Sequence, residues 1–300
     1  MLAIEASELT KSFGGQRACW DVSFDVRRGE VFGLLGPNGA GKTTTLRMLA
    51  GLYAPDAGRA VVAGHEIGPS RAGSAALRAK VGLLTESPGF YDRLTARENL
   101  RFFGALQGVR DGARADRLLE RFGLISHADR PFAQLSRGMK QKLAIARALL
   151  HEPEVVFLDE PTVGLDPEAT REVRAVIAEL AAEHVTILLC THHLDEVERL
   201  CARAAFIAGR LIAVHEISHA TMVRIELAAP CELGAARALC RSFRSLGNVL
   251  HLEPAGDVAE VVAALVGSGG RVRAVVPARD PLEDAWLLLL AEARERGLAA

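Results

Sequence analysis

The residues at positions 36–43 have the types and spacing that a phosphate-binding loop requires. They read Gly-Pro-Asn-Gly-Ala-Gly-Lys-Thr and fit the pattern G-x-x-x-x-G-K-[ST]. Glycines let backbone N–H groups turn towards phosphate oxygens, Lys42 supplies a positive charge, and the Thr43 hydroxyl is suited to magnesium. The loop predicts a site for a nucleoside triphosphate and Mg²⁺. The predicted ligands are Gly36, Pro37, Asn38, Gly39, Ala40, Gly41, Lys42, Thr43 and Thr44.

Two adjacent carboxylates, Asp159 and Glu160, follow four hydrophobic residues. A buried parallel strand would deliver them to its carboxyl end, where parallel sheets bind their ligands. Because adjacent residues of a strand point to opposite faces, we expect the two acids to have different roles. Asp159 is predicted to hold the magnesium ion, and Glu160 to face the γ-phosphate and polarise the attacking water.

The elements around these residues predict an α/β fold. An apolar run at 31–35 reads as a buried strand, and helical spacing begins at Lys42, so the glycine loop lies between a strand and a helix. Two β-like runs at 155–158 and 185–189 are separated by a helical stretch at 167–183, which indicates a parallel sheet covered by helices. Residues 220–300 alternate short strands with alanine-rich helices and are predicted to form a small separate α/β domain after the first domain at 1–219.

Composition limits the classes of function. A formal charge of -1 gives no electrostatic footprint for nucleic acid. Five scattered cysteines without a Cys-x-x-Cys pair argue against a disulfide framework or a zinc site and favour a reducing cytosol. The first residues lack the features of a signal peptide, and no apolar run is long enough for a membrane span, so we expect any membrane role to depend on a partner.

The order of further motifs resembles the ATP-binding-cassette (ABC) family. The segment 135–139, Leu-Ser-Arg-Gly-Met, resembles the family's signature loop, and 164–166, Gly-Leu-Asp, resembles its D-loop. His192 resembles the switch histidine, because it stands two residues before Leu194; His193 is the competing candidate. The resemblance implies a P-loop NTPase fold of the ABC ATPase type, with a parallel-sheet core, an antiparallel N-terminal β subdomain and a helical subdomain at about 90–150. It also implies that the chain hydrolyses ATP.

The same resemblance implies a homodimer with ATP sandwiched between two copies. Ser136, Gly138 and Asp166 of one copy would then complete the ATP site of the other. Ser136 and Gly138 also open a helical segment, so a simple helix N-cap explains the serine equally well. Arg137 replaces the family's commonest glycine.

Two more residues are assigned from the resemblance. Phe13 matches the aromatic residue that stacks on adenine, although a core phenylalanine is the alternative. Glu86 stands where the family usually has a glutamine that contacts magnesium or water, so it is a candidate for both catalysis and metal binding. As a glutamate it adds negative charge beside the phosphates.

The features at 86, 135–139 and 281–286 are similar to those of ABC-2 or daunorubicin-resistance-type exporters. This similarity implies an energy-coupling subunit that works with separate transmembrane permease subunits at the cytoplasmic face of the cell membrane. We expect the loop at 86–99, with Phe90 and Tyr91, to dock onto the permease; the alternative is a surface loop whose aromatics fold back into the core. The alternative function is a soluble ABC-type ATPase acting on a non-membrane partner.

Overall fold

The computed structural model describes residues 1–69, 72–85, 89–217, 222–229 and 231–278. These residues divide into two compact units, one formed by Met1–Glu216 and one that begins at Ile217. The domain boundary that the sequence predicts, between residues 219 and 220, falls outside the described residues. So do Glu86 and the segment 281–286.

The first unit contains two sheets and the helices between their strands. Its strands are β1 (Leu2–Phe13), β2 (Gln16–Arg27), β3 (Val31–Leu35), β4 (Ala57–Val62), β5 (His65–Ile67), β6 (Val81–Leu84), β7 (Val155–Asp159), β8 (Thr186–Thr191), β9 (Arg203–Ile207) and β10 (Leu211–Glu216). Its helices are α1 (Lys42–Leu49), α2 (Ala75–Arg78), α3 (Ala96–Leu106), α4 (Arg114–Arg121), α5 (Arg137–Ala148), α6 (Pro167–Ala182) and α7 (Leu194–Leu200). Short 3-10 turns lie at Ile125–His127 and Phe132–Gln134.

The central sheet has the strand order β10-β9-β3-β8-β7-β6. All its neighbours pair in parallel except β10, which is an antiparallel edge strand. Every residue of β3, β7 and β8 is buried, as expected for a parallel sheet that is covered on both faces. The predicted parallel-sheet core is therefore confirmed. The carboxyl ends of β3, β7 and β8 meet at one edge, where residues 36, 160 and 192 follow them.

The N-terminal sheet is antiparallel, in the order β2-β1-β4-β5. Its first two strands are each 12 residues long, whereas the sequence pattern showed only short strands at 2–8 and 23–26. Register shifts interrupt the pairing of β1 with β2 at several points, and Glu8 and Asp21 have positive φ angles of 54°. Because such bulges break the period-two alternation, the sequence did not reveal the full strand lengths.

A helical part, from α3 to α5, lies between β6 and β7 in the chain. Helix α3 begins with a capping box in which Thr95 and Glu98 bond reciprocally to each other's backbone N–H groups. Asn99 on this helix is fully buried, and its amide donates to the carbonyl oxygens of Tyr91 and Leu94. The helix thereby holds the aromatic loop that precedes it.

The second unit pairs one sheet with two helices. Its elements are β11 (Met222–Leu227), α8 (Gly234–Ala238), β12 (Cys240–Leu246), β13 (Val249–Pro254), α9 (Val258–Gly267) and β14 (Val272–Ala278). The strands pair antiparallel in the order β12-β13-β11-β14. This β-α-β-β-α-β order is that of the split βαβ motif. Its core includes Ile225, Leu250, Leu252, Val261 and Leu265, all fully buried.

All five cysteines lie within the described ranges, and each is a free thiol. Cys19, Cys190 and Cys201 are buried, and Cys231 and Cys240 are partly exposed. Within the described ranges, no helix has the length and apolar character that crossing a bilayer requires.

Candidate functional site

The loop between β3 and α1 is held by close backbone packing that only glycine allows. A Cβ atom at Gly36 would lie 2.2 Å from the carbonyl oxygen of Ile207, at the end of β9. Gly41 has a φ of 91°, and a Cβ there would lie 2.5 Å from the carbonyl oxygen of Ala18. The glycines therefore seat the loop against β9 and β2, and leave the backbone of the loop open to a ligand.

Lys42 lies beneath this loop and is almost fully buried. Its ammonium donates to the carbonyl oxygens of Gly36 at 2.7 Å and Pro37 at 3.2 Å. It also lies 3.3 Å from Oε1 of Glu160. A buried ammonium with carbonyl and carboxylate partners is a stable positive charge at the loop, as phosphate binding requires.

Thr43 and Asp159 form the second contact across the site. The Thr43 hydroxyl donates to Oδ1 of Asp159 at 3.0 Å, and Asp159 is 2% exposed. A hydroxyl and a carboxylate oxygen at this separation fit a magnesium ion, because Mg²⁺ prefers hard oxygen ligands and keeps several waters and phosphate oxygens as its other ligands. Burial, and then the charge of Asp159, raise the pKa of the neighbouring Cys190 thiol well above its usual value.

Glu160 lies one residue beyond the end of β7 and has a φ of 51°. Its N–H donates to the carbonyl oxygen of Cys190 at 2.8 Å, and Oε2 lies 2.9 Å from Nδ1 of His192. The sequence predicts that Asp159 and Glu160 point to opposite faces of one strand. That prediction was wrong, because the strand ends at Asp159 and Glu160 lies outside it. A left-handed backbone turn separates them instead, and such non-glycine conformations concentrate at functional sites.

A cleft of about 490 Å³, within the usual range for small-molecule sites, is lined by most of these residues but not by Gly36, Pro37 or Asp159. The lining residues are Ala18, Asn38, Gly39, Ala40, Gly41, Lys42, Thr43, Thr44, Glu160, Val163 and His192. His193 is absent from the lining, although its ring lies 4.1 Å from that of His192. The structure thus brings the phosphate loop, Glu160 and His192 to one cleft. The sequence reasoning missed Ala18 and Val163, which are small apolar residues with no motif of their own.

Phe13 lies at the end of β1 and is 46% exposed, so it is not a core residue. Its ring meets Tyr53 edge-on at 5.5 Å, and the Lys11 ammonium lies 5.7 Å from its centre. It does not line the cleft itself. An exposed ring is free to stack on a base, and its role in adenine binding stays a prediction.

The signature-like residues lie at the start of α5. Ser136 is the N-cap of that helix and accepts the N–H of Met139 at 3.2 Å, as the capping alternative expected. A Cβ on Gly138 would lie 2.7 Å from Cβ of Ala169 on α6, and a Cβ on Gly164 would lie 2.3 Å from the Arg137 guanidinium. Helix α5 therefore packs closely against the D-loop-like segment and α6.

Asp166 is the N-cap of α6, and its carboxylate accepts the N–H groups of Glu168 and Ala169 at 3.0 and 2.9 Å. Ser136, Gly138 and Asp166 do not line the cleft that holds the phosphate loop. Their predicted part in nucleotide binding therefore depends on a second copy of the chain.

Comparison with known proteins gives a family match. Residues 19–163 match the family model described as ABC transporter. The chain is 44% identical over 214 residues to the probable multidrug ABC transporter ATP-binding protein YbhF of Escherichia coli (strain K12), which is 70% of this chain but only 36% of the length of YbhF. It is 47% identical to the Nod factor export ATP-binding protein I of Paraburkholderia xenovorans (strain LB400), with 70% of each chain covered.

A third relative is the daunorubicin resistance ATP-binding protein DrrA3 of Streptomyces coeruleorubidus, which is 42% identical over 70% of this chain and 67% of its own length. Among solved structures, an ATP-binding subunit of an ABC transporter is 34% identical, with a TM-score of 0.63 and 72% of this chain and 90% of that chain covered. A dimeric bacterial ABC transporter cassette is 25% identical, with a TM-score of 0.64 over 72% of this chain and 99% of that one.

Proposed function

The chain belongs to the ABC transporter family as an ATPase subunit, and from that premise we propose that two copies bind ATP between them and drive a separate permease of the export type. The observation that carries this proposal is the meeting of Lys42, Thr43, Glu160 and His192 in one cleft. Three of the most similar relatives carry multidrug, Nod factor export or daunorubicin resistance in their names, which supports export.

In the proposed mechanism, Lys42 and the loop N–H groups bind the β- and γ-phosphates. Thr43 and Asp159 would hold a magnesium ion, which neutralises phosphate charge. Glu160 accepts the proton of the attacking water as a general base. Because a carboxylate only accepts hydrogen bonds, the proton of the His192–Glu160 contact lies on Nδ1 of His192, so the histidine orients the carboxylate of the proposed base.

The proposed dimer follows from the residues that stay outside the cleft. Ser136 and Gly138 present the N-terminus of α5, whose backbone N–H groups favour an anion. In one copy they do not reach the phosphate loop. Two copies arranged head to tail would bring the α5 N-terminus of each to the ATP of the other. The dimeric cassette of similar fold supports the formation of a dimer.

The proposed permease contact lies on the aromatic residues around α3. Phe90 packs on Phe132 and Phe103, with ring centres 4.7 and 5.7 Å apart, so this ring does fold back onto the protein. Tyr91 and Phe102 remain 51% and 38% exposed, and their rings meet edge-on at 5.0 Å. A paired, exposed aromatic surface supports docking of a partner helix, and through it a place at the cytoplasmic face of the membrane.

The test is purification of the chain with and without a membrane protein whose gene adjoins its own, where the genome carries one. The proposal expects ATP hydrolysis by the chain, an ATP-dependent dimer of Glu160→Gln in size-exclusion chromatography, and co-purification with that membrane protein. Tyr91→Ala combined with Phe102→Ala is expected to abolish co-purification without changing ATP binding. Co-purification with a soluble protein, and none with the membrane protein, would instead favour an ABC-type ATPase with a non-membrane partner.

A further inference from the structure

Glu196 is a fully buried carboxylate that the proposed mechanism does not use. It lies in the first turn of α7, and its two oxygens have different partners. Oε1 accepts from the Thr162 hydroxyl, and Oε2 accepts from the Thr191 hydroxyl at 2.9 Å. Burying a carboxylate without hydrogen-bond partners costs a large desolvation free energy. The two threonine hydroxyls supply a donor to each oxygen of Glu196.

The two threonines flank the residues proposed to act on ATP. Thr191 is the last residue of β8 and directly precedes His192. Thr162 is two residues after Glu160, in the turn where Val163 donates to the carbonyl oxygen of Glu160. Both threonines are buried, at 0% and 5% exposure. One carboxylate thus holds the chain on both sides of the Glu160–His192 contact.

Arg174 connects the same carboxylate to α6. Its Nε and Nη2 both lie 3.4 Å from Oε1 of Glu196, and Nη2 lies 2.8 Å from Asp195 at the surface. Helix α6 begins at the cap Asp166 and packs on α5 through Ala169 and Gly138. Glu196 therefore connects α6, through Arg174, to the segments that carry Glu160 and His192.

From this geometry we propose that Glu196 is a positioning residue for ATP hydrolysis, which acts through Thr162 and Thr191 on Glu160 and His192. The inference rests on the proposed function, because it assigns Glu196 to the reaction of that site. Glu196 itself does not touch ATP. Its loss displaces the general base and the histidine without removing the phosphate loop, so it lowers the rate of hydrolysis and leaves nucleotide binding intact.

The test compares Glu196→Gln with Thr191→Val, Thr191→Ser and Asp195→Asn. Glutamine has one acceptor oxygen in place of two, and its NH₂ group faces either Arg174 or a threonine hydroxyl. We expect Glu196→Gln and Thr191→Val to lower kcat by about tenfold to a hundredfold, with the calorimetric Kd for ATP changed by less than about twofold. Thr191→Ser keeps the hydroxyl and is expected to restore kcat. Asp195→Asn, which removes only the surface partner of Arg174, is expected to leave kcat unchanged.

Non-additivity separates positioning from a structural role. In a background that carries both Glu160→Gln and His192→Ala, the two groups that Glu196 positions are already lost, so Glu196→Gln is expected to cause no further loss of turnover. A further, multiplicative loss of turnover in that background would overturn the inference. So would a kcat of Glu196→Gln that equals the wild-type value, or one that falls only in proportion to the melting temperature. Absence of ATP turnover in the wild type would overturn the proposed function itself, and the inference with it.

Discussion

The ammonium of Lys42 lies 3.3 Å from the carboxylate of Glu160, and both side chains are largely buried. The other oxygen of that carboxylate contacts His192. Each oxygen of the proposed base therefore has its own partner, Lys42 of the phosphate loop for one and His192 for the other. The γ-phosphate, which carries negative charge, would compete with Glu160 for Lys42, so binding and base placement are coupled electrostatically.

Glu160→Gln is expected to separate ATP binding from hydrolysis. The amide keeps the shape of the side chain but removes the base and its negative charge beside Lys42, so ATP binds at least as tightly and turnover falls about a hundredfold or more. Steady-state phosphate release and an ATP-dependent dimer measure the two effects. Glu154→Gln, a half-buried acid outside the cleft that is paired with Lys80 and Arg28, is the matched control. Unchanged turnover in Glu160→Gln would contradict the assignment.

Lys42→Ala is expected to weaken ATP binding itself. Removing a charge-assisted contact with phosphate raises the calorimetric Kd by about tenfold to a hundredfold. Lys80→Ala removes an exposed lysine outside the cleft and is expected to bind ATP normally. A titration of Lys42→Ala that matches the wild type would refute the role of this lysine.

Gly138→Ala is expected to disturb the packing of α5 on α6, because the new methyl group would lie 2.7 Å from Cβ of Ala169. Overpacking of this kind lowers the free energy of unfolding by about 1–3 kcal/mol. Chemical denaturation measures the change, and Gly112→Ala, where nothing lies within 4 Å, is the control. The pair Gly138→Ala and Ala169→Gly restores the space, so failure of the double variant to recover stability would show that the contact is not the cause.

His151 is expected to make stability depend on pH. Burial lowers the pKa of its imidazole, against the opposing effect of its bond to the Val81 carbonyl oxygen. The folded pKa is below the unfolded value of about 6.5, so the unfolded chain binds the proton first and stability is lost as the pH falls through that value. The free energy of unfolding, compared between wild type and His151→Gln from pH 7.5 to 5.5, should fall more steeply in the wild type. Parallel curves would exclude the effect.

The cysteines are expected to differ in reactivity. Burial raises the pKa of the thiols of Cys19, Cys190, Cys201 and Cys240, and the thiolate is the reactive form. The first three are also closed to a reagent, whereas Cys240 is partly exposed. Only Cys231 and Cys240 should react with a thiol reagent at pH 8 in the folded protein, and the other three should react on unfolding. A double variant with serine at 231 and 240 should therefore show no fast phase, and a fast phase there would contradict the burial of the remaining thiols.

Much of the fold and site was predictable because the signals are local. The apolar run of β3, the glycine loop and α1 are adjacent in sequence, and His192 follows a strongly β-like strand. The hydrophobic pattern and the motifs were therefore enough to predict that these residues lie at one edge of the sheet. The sequence did not reveal Ala18 as a lining residue, because only the tertiary packing of β2 against Gly41 brings it there. Glu196 was missed since a lone glutamate in a polar helix gives no sign of burial. Edge strand β12, rich in serine and arginine, also lacks a β-like pattern.

Strand β3 lies between β8 and β9, which are its neighbours in the central sheet. Those partners begin at Thr186 and Arg203, far along the chain from Val31. During synthesis on the ribosome, β3 therefore emerges long before the strands that flank it, and the phosphate loop has no support from the end of β9 until then. Folding of this unit is a late event in translation, and nascent chains that stop before β9 leave an apolar strand exposed to aggregation.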